Sequence, residues 1–361
     1  MDVTTRNLLR LLRAGVFGKQ EQLEPLSASK WNRLYQLSVM HGITALVSDG
    51  LQVCSGQFFL QMPQSQLDRW QQSVKAVEQQ GQRLNLQLSE LSRLFADQHW
   101  RHLLFKGQAL ATYYPQPLHR TSGDIDLYFP NETLAEAADD WAESNGTDQE
   151  ETSAGNLKYY WRGVTVEHHH QMGHFSFVPL NRALRHIIKQ ELDSSAPAYV
   201  VVNGMRIETV QPSLSLLLIL VRITHYLLTD GIALKQLADL AVLLNSRKAL
   251  PESERINGWL EKLRLTNLAR LIGELVAQTM GVEREVIPFL SDESAPSIDR
   301  VVDELSDLRG QWRSASDQAL FAPNDNSPAL FRRSRHMARY FSYHPAETLT
   351  SFLASLVHIE E

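Results

Sequence analysis

The feature that most constrains this fold is a change of period along the chain. From Thr5 to about Ala96, apolar residues recur at every third or fourth position, in LLRLLRAGVF, in WNRLYQLSVMHGITALVSDGL and along the polar-faced stretch from Gln66 to Phe95. That is helical spacing. Between His102 and about Ile207 the pattern shortens to β-like runs: HLLF (102–105), DIDLYF (124–129), KYYW (158–161), VTVEHH (164–169) and HFSFV (174–178). Gly, Pro and Asn punctuate them. Helical segments are expected between them at Gln108 to Tyr114, Glu132 to Ser144 and Asn181 to Leu192. From Pro212 the helical period returns. LSLLLILVRITHYLL is apolar nearly all round and so reads as buried, and ALKQLADLAVLLN follows a turn at Asp230 and Gly231. Beyond Gly281 the tail is helix-poor in places, with a loop expected over FAPNDNSPAL (321–330). The fold class predicted is α+β: a small mixed β-sheet with flanking helices (99–210), between an N-terminal helical region (1–98) and a C-terminal helical bundle (211–361).

Composition narrows the class of function. Thirty-five Lys and Arg against 41 Asp and Glu give a net charge of −6, which argues against a chain that coats nucleic acid non-specifically. The single cysteine, Cys54, excludes an intrachain disulfide and any multi-cysteine metal site, and it fits a reducing cytoplasm. The longest apolar run, Leu214 to Val221, is far short of the ~20 residues a membrane span needs. The amphipathic, arginine-bearing first residues lack the compact apolar region of a signal peptide. A soluble cytoplasmic protein is expected.

The chemistry concentrates in LLFKGQALATYYPQPLHRTSGDIDLYF, Leu103 to Phe129. It reads as strand, Lys-Gly turn, short helix, loop and second strand. On that second strand Asp124 and Asp126 share one face, while Ile125 and Leu127 take the other. Taken alone, the pair also describes a solvated polar strand face. Paired acids on a rigid edge are costly unless neutralised, and a hard divalent cation would neutralise them. Lys106 and Gly107, between strand and helix, suit close approach of a phosphate. Arg120 and Ser122 add a cation and a hydroxyl near the acids. Phosphoryl transfer calls for a further carboxylate on a neighbouring strand. Glu167 answers: with a turn at Arg162-Gly163, Val164 and Val166 take one face, and Thr165, Glu167 and His169 the other.

These motifs, KGxAL, the pair Tyr113/Tyr114, RxSxDIDL and a later VxVExH strand, resemble the nucleotidyltransferase superfamily with the DNA polymerase β-like fold. The resemblance is strongest to a branch of uncharacterised bacterial nucleotidyltransferases, which is similar around the motifs to the toxin component of type IV abortive-infection toxin–antitoxin systems. It extends from about Trp31 to Asn245 and includes HGI (41–43) and the two helices after Pro212. The chain departs from the superfamily's usual Gly-Gly or Gly-Ser pair with Lys106-Gly107-Gln108, and its third acid is Glu167 rather than Asp. The resemblance implies transfer of a nucleoside monophosphate from an NTP, ATP among the candidates, to an acceptor hydroxyl on RNA, protein or a small molecule, releasing pyrophosphate. Asp124, Asp126 and Glu167 would be catalytic and would hold two Mg²⁺ ions, with Mn²⁺ as a substitute. Lys106, Gly107, Arg120 and Ser122 would bind the nucleotide. It also implies a polar pairing of His225 and Asp239 near the cleft. A catalytically weak nucleotide- or protein-binding module, such as a toxin–antitoxin component, is the alternative. A phosphohydrolase using the histidines is a third.

Other signals weigh less. Strand alternation separates His169 from His168 and His170, so this run does not read as a zinc site. His169, two residues after Glu167 on its face, is the histidine placed to touch substrate or metal, and a hydrogen-bonded structural role is the equal alternative. FRRSRHMARY (331–340) is basic enough to meet an RNA backbone, although a solvated helix face has the same look.

Overall fold

The computed structural model describes residues 1–57, 62–152, 155–229, 231–246, 253–291, 295–307 and 329–357. Four helices precede the sheet: α1 (Val3–Phe17), α2 (Ala28–Met40), α3 (Thr44–Val53) and α4 (Gln64–Asp97). The side chain of Asp2 caps α1 by accepting from the Thr5 N–H at 2.9 Å. Helices α1 and α3 cross at near-backbone contact. A β-carbon on Gly15 would stand 1.9 Å from the Leu46 carbonyl oxygen, and one on Gly50 1.9 Å from that of Leu11. Either alanine would force the pair apart.

Among the described residues seven strands form one sheet: β1 (Leu103–Leu104), β2 (Asp124–Tyr128), β3 (Thr147–Glu151), β4 (Leu157–Trp161), β5 (Val164–His169), β6 (Ala198–Val202) and β7 (Met205–Thr209). Their order is β3-β4-β5-β2-β1-β7-β6. Strand β2 runs parallel to β5 and antiparallel to β1, and β1 runs parallel to β7, so the sheet is mixed as expected. Between the strands lie α5 (Gly107–Ala111), α6 (Glu132–Asn145) and α7 (Val178–Ser194). Arg162 (φ 46°) and Gly163 (φ 87°) form the two-residue turn of the β4–β5 hairpin, and Asn203 (φ 48°) with Gly204 (φ 76°) that of β6–β7. Positive φ at both central residues matches the twist of the flanking strands.

One expected strand is not a strand. In HFSFV the Phe175 N–H donates to the Asn181 side chain at 3.2 Å, and the Ser176 and Phe177 N–H groups donate to the two carboxylate oxygens of Glu347, both at 2.8 Å. Side chains take the donors that a sheet neighbour would need, and α7, with Pro179 in its first turn, opens at Val178, three residues earlier than predicted. The expected helix from Gln108 to Tyr114 is the single turn of α5. Strands β3, β6 and β7 were not expected. Asp230 and residues 321–328 of the expected loop lie outside the described residues, and Ala329 and Leu330 begin a helix.

After the sheet come α8 (Pro212–Leu228), α9 (Leu234–Asn245), α10 (Ser253–Lys262), α11 (Thr266–Met280), α12 (Asp299–Ser306), α13 (Ala329–Tyr340) and α14 (Pro345–Val357). Helix α8 is buried nearly all round. The two sheet faces are packed differently. Ile125, Leu127, Val164 and Val166 join Leu84, Leu88, Leu91 and Phe95 of α4 and the alanines of α6 in one core. Leu103 and Phe105 join the larger core of α1, α8, α9 and α11. The acids of β2 and β5 therefore face α8. No helix among the described residues is long and apolar enough to cross a membrane.

Candidate active site

A cavity of about 730 Å³ opens between the acidic sheet face, α8, the segment from Gln171 to Ser176 and Ser351 and Ala354 of α14. That is room for a small-molecule ligand of nucleotide size. Its floor is set by register. Parallel pairing of β2 with β5 puts Asp126 opposite Glu167 and Asp124 opposite Thr165, so the three carboxylates converge on one face. All three line the cavity.

Lys106, immediately after β1 and Phe105, reaches back over this face, and its Nζ donates to Asp126 Oδ1 at 3.1 Å. His169 Nε2 lies 2.7 Å from the same oxygen and 3.4 Å from Glu167 Oε2. Asn156, just before β4, donates through Nδ2 to Glu167 Oε1 at 2.7 Å and sits 2.9 Å from His169 Nδ1. Asp126 is only 4% exposed. Burial opposes its charge, but the Lys106 ammonium and the hydrogen bond to His169 outweigh that and hold its carboxyl well below the ordinary range. Asp124 is shifted the other way. Burial and the Asp126 charge push it up, against the pull of Lys106.

Arg120 is placed differently from the expectation of a free phosphate ligand. Its Nε and Nη2 donate to Asp239 at 3.0 and 2.7 Å, and its Nη1 donates to Ser122 Oγ at 2.8 Å. Tyr114 donates its hydroxyl to the same carboxylate at 2.8 Å. Burial opposes ionisation of Asp239, yet Arg120 keeps it below the usual carboxylate range. The triad ties the loop before β2 to α9 and so holds the strand bearing Asp124 and Asp126. Ser122 stays near the acids, its Oγ 3.8 Å from where a β-carbon of Gly107 would stand. At Gly107 φ is +36°, and that same position is 3.8 Å from Asp126 Oδ2, so glycine keeps the approach to the acids open.

The sequence from 27 to 281 matches the profile of a family described as uncharacterised nucleotidyltransferases. The chain belongs to that family. Among solved structures it is similar to an antigenic nucleotidyltransferase-like protein from Paracoccidioides brasiliensis, at 12% identity over 55% of this chain and 93% of that one, with a TM-score of 0.36. No curated protein matches it.

In this nucleotidyltransferase-family chain the remaining expected residues are dispersed. His225 lines the cavity from α8, its ring edge-on to Tyr226 at 5.5 Å between centroids. His168 points to the opposite sheet face, where Asp139 at 2.8 Å and the Tyr159 hydroxyl at 3.0 Å hold it inside an aromatic cluster. Burial lowers its pKa. His170 is paired with Asp139 at 3.1 Å. Of the histidine run only His169 joins the acids, and its donor atom lies within 4.8 Å of those of Asp126 and Glu167. Within FRRSRHMARY, Arg339 is bound to Glu304 at 2.6 Å, and the side chains of Arg332, Arg333 and Arg335 lie outside the described residues. Cys54 is buried.

Two polar residues of the cavity are not among those expected from the sequence. Arg222 enters the cavity from α8, and its charge acts on both Asp124 and Asp126. The signal was present, since it is the one arginine inside an otherwise apolar helix. Asn156 gave no signal: it is a loop residue whose partners are 11 and 13 positions away.

Proposed function

We propose that the protein transfers a nucleoside monophosphate from an NTP to the hydroxyl of an acceptor, with release of pyrophosphate. The observation that carries this reading is the register of Asp126 with Glu167 across parallel strands, which gathers three carboxylates on the floor of a cavity that also receives Lys106 and Arg222. The donor set of carboxylate oxygens fits a hard divalent cation such as Mg²⁺. Asp124, Asp126 and Glu167 would hold it, and once bound it would supply positive charge to the triphosphate and make the acceptor hydroxyl more acidic.

The chain's own residues do the rest. Lys106 and Arg222 bring two cations to a polyanionic substrate, and Gly107 lets the phosphates approach the backbone. Arg120, bound to Asp239, keeps the Asp124 strand in place rather than touching phosphate. In the reaction the acceptor oxygen forms a bond to the α-phosphorus, and the bond from that phosphorus to the bridging oxygen breaks. The electron pair leaves with pyrophosphate, and the hydroxyl proton is drawn off on the side of Glu167. Positioning and charge stabilisation are the protein's main contribution to such a transfer. The walls formed by Met172, Leu218 and Ile219 offer an apolar surface to a base or an acceptor.

Calorimetric titration with each NTP in the presence of Mg²⁺ tests the reading. One NTP or more should bind the wild-type chain, and binding should be lost in the Asp124→Ala/Asp126→Ala double variant. Equal binding by that variant would place the triphosphate elsewhere.

A further inference from the structure

Asn156 makes three contacts whose directions constrain one another. The His170 backbone N–H, which can only donate, points at Asn156 Oδ1 at 3.2 Å. That fixes the amide: Oδ1 faces His170, and the NH₂ group faces Glu167 Oε1 at 2.7 Å and His169 Nδ1 at 2.9 Å. The flipped amide fails twice, setting two donors against each other at His170 and two acceptors at Glu167. Both hydrogens of the NH₂ group are thereby used. His169 Nδ1 must receive one of them, so it carries a lone pair. The ring proton then sits on Nε2, 2.7 Å from Asp126 Oδ1, and the Lys106 ammonium, 3.4 Å from that nitrogen, gives its hydrogen to Asp126 Oδ1 at 3.1 Å and not to the ring. The residue making these choices is itself fixed. Asn156 is buried, its N–H donates to Thr152 Oγ1 at 3.1 Å, and its carbonyl accepts from the Thr152 N–H at 2.9 Å.

Resting on the nucleotidyltransferase reading, we infer that Asn156 is a positioning residue for the catalytic carboxylates: it orients Glu167 directly and Asp126 through the Nε2–H tautomer of His169. His169 is then a hydrogen-bond donor to the acidic cluster and not a metal ligand, although its Nε2 lies among the acids. Asp126 Oδ1 receives two donors, His169 and Lys106, which leaves Oδ2 and the other two carboxylates for a cation. A site so arranged offers oxygen alone, the donor type that suits Mg²⁺ and Mn²⁺.

Two measurements on full-length protein without nucleotide decide this. In ¹⁵N-histidine-labelled wild type without metal, the long-range proton–nitrogen pattern of the His169 ring should show the proton-bearing nitrogen at Nε2. A proton on Nδ1 would overturn the inference. Mn²⁺ titration followed by electron paramagnetic resonance should show affinity falling about tenfold or more in Asn156→Ala, the range seen when outer hydrogen-bond partners of metal ligands are removed. Asn156→Asp, which keeps the acceptor for His170 and replaces both donors with acceptors, should place a proton on His169 Nδ1. Unchanged Mn²⁺ affinity in Asn156→Ala, or an unchanged His169 pattern in Asn156→Asp, would also overturn it. Failure of wild type to bind Mn²⁺ would strike the nucleotidyltransferase reading instead, and the imidazole spectrum would still decide the role of Asn156.

Discussion

Arg120 and Asp239 meet face to face, two guanidinium nitrogens on two carboxylate oxygens, with both side chains about 95% shielded from solvent. They are 119 residues apart in the chain and join the loop before β2 to α9. Removing one member leaves the other as an uncompensated buried charge. Asp239→Ala should therefore cost about 3–5 kcal/mol of stability in chemical denaturation. A loss below 1 kcal/mol would show that solvent reaches Arg120 and that the pair does not hold the loop.

Asp124 and Asp126 should respond oppositely to neutralisation in metal-free protein. The folded state raises the Asp124 pKa, so its charge is a penalty at neutral pH that disappears once the group is protonated at acid pH. Asp124→Asn should leave the melting temperature unchanged or raise it at pH 7, with no gain at low pH. The folded state lowers the Asp126 pKa, so its stabilising contribution is present above the ordinary carboxylate range and is lost as pH falls through the folded value. Asp126→Asn should lower the melting temperature at pH 7. Thermal scans of both variants at pH 7 and pH 4 would check the pair of signs.

His119, one residue before Arg120, is clamped between Asp49 and Glu78, with contacts of 2.8 and 3.0 Å. The hydrogen bond to Asp49, with help from Glu78 against the effect of burial, raises its pKa to about 8. Its contribution is fully present below about pH 6.5 and is lost as pH rises through 8. Allowing for solvent screening around the half-exposed Glu78, roughly 1 kcal/mol should disappear between pH 6 and pH 9. Urea denaturation across that range should show the slope in wild type and not in His119→Ala.

Lys106→Ala should weaken NTP binding by about ten- to a hundredfold, the worth of a charge-assisted contact. Arg222→Ala should act in the same direction, because it removes the second cation of the cavity. Titration calorimetry reads both, and full affinity in either variant would remove that residue from the phosphate site.

Glu167→Gln keeps the side chain's size and its acceptor for Asn156 but removes the charge. NTP affinity should change little while single-turnover transfer falls at least a hundredfold, the scale of a lost acid–base or charge-stabilising group. Near-normal turnover would mean that the third carboxylate comes from elsewhere.

Much of the site was legible because it is local. The DIDL alternation gives the shared face of Asp124 and Asp126, and the Arg162-Gly163 turn gives the face that Glu167 takes, while its place opposite Asp126 comes from the β2–β5 pairing. The arrangements that depend on distant partners leave no local trace. Nothing near Arg120 in sequence discloses Asp239, so its guanidinium looked free for phosphate. HFSFV has strand alternation, yet Glu347, 171 positions on, claims the Ser176 backbone donor. Strand β3, TDQEE, is wholly exposed at the sheet edge and carries no apolar pattern to read. The β6–β7 hairpin does carry a local signal: between AYVVV and MRIET stands Asn203-Gly204, the residue pair that two-residue hairpin turns favour.

In the proposed reaction this cavity breaks the bond between the α-phosphorus and the oxygen that bridges it to the β-phosphate, and passes the α-phosphoryl nucleoside to a hydroxyl. Its most direct test is incubation of the protein with Mg²⁺, a cell extract and each NTP, labelled in parallel at the α- or the γ-phosphorus. Beyond the level seen with extract alone, label from the α-position should become attached to an acceptor, γ-label should be recovered as pyrophosphate or as the phosphate that pyrophosphatase makes of it, and Asp126→Ala should abolish both gains. Transfer of γ-label to an acceptor that depends on the added protein, or protein-dependent α-label transfer that survives in Asp126→Ala, would contradict this reaction.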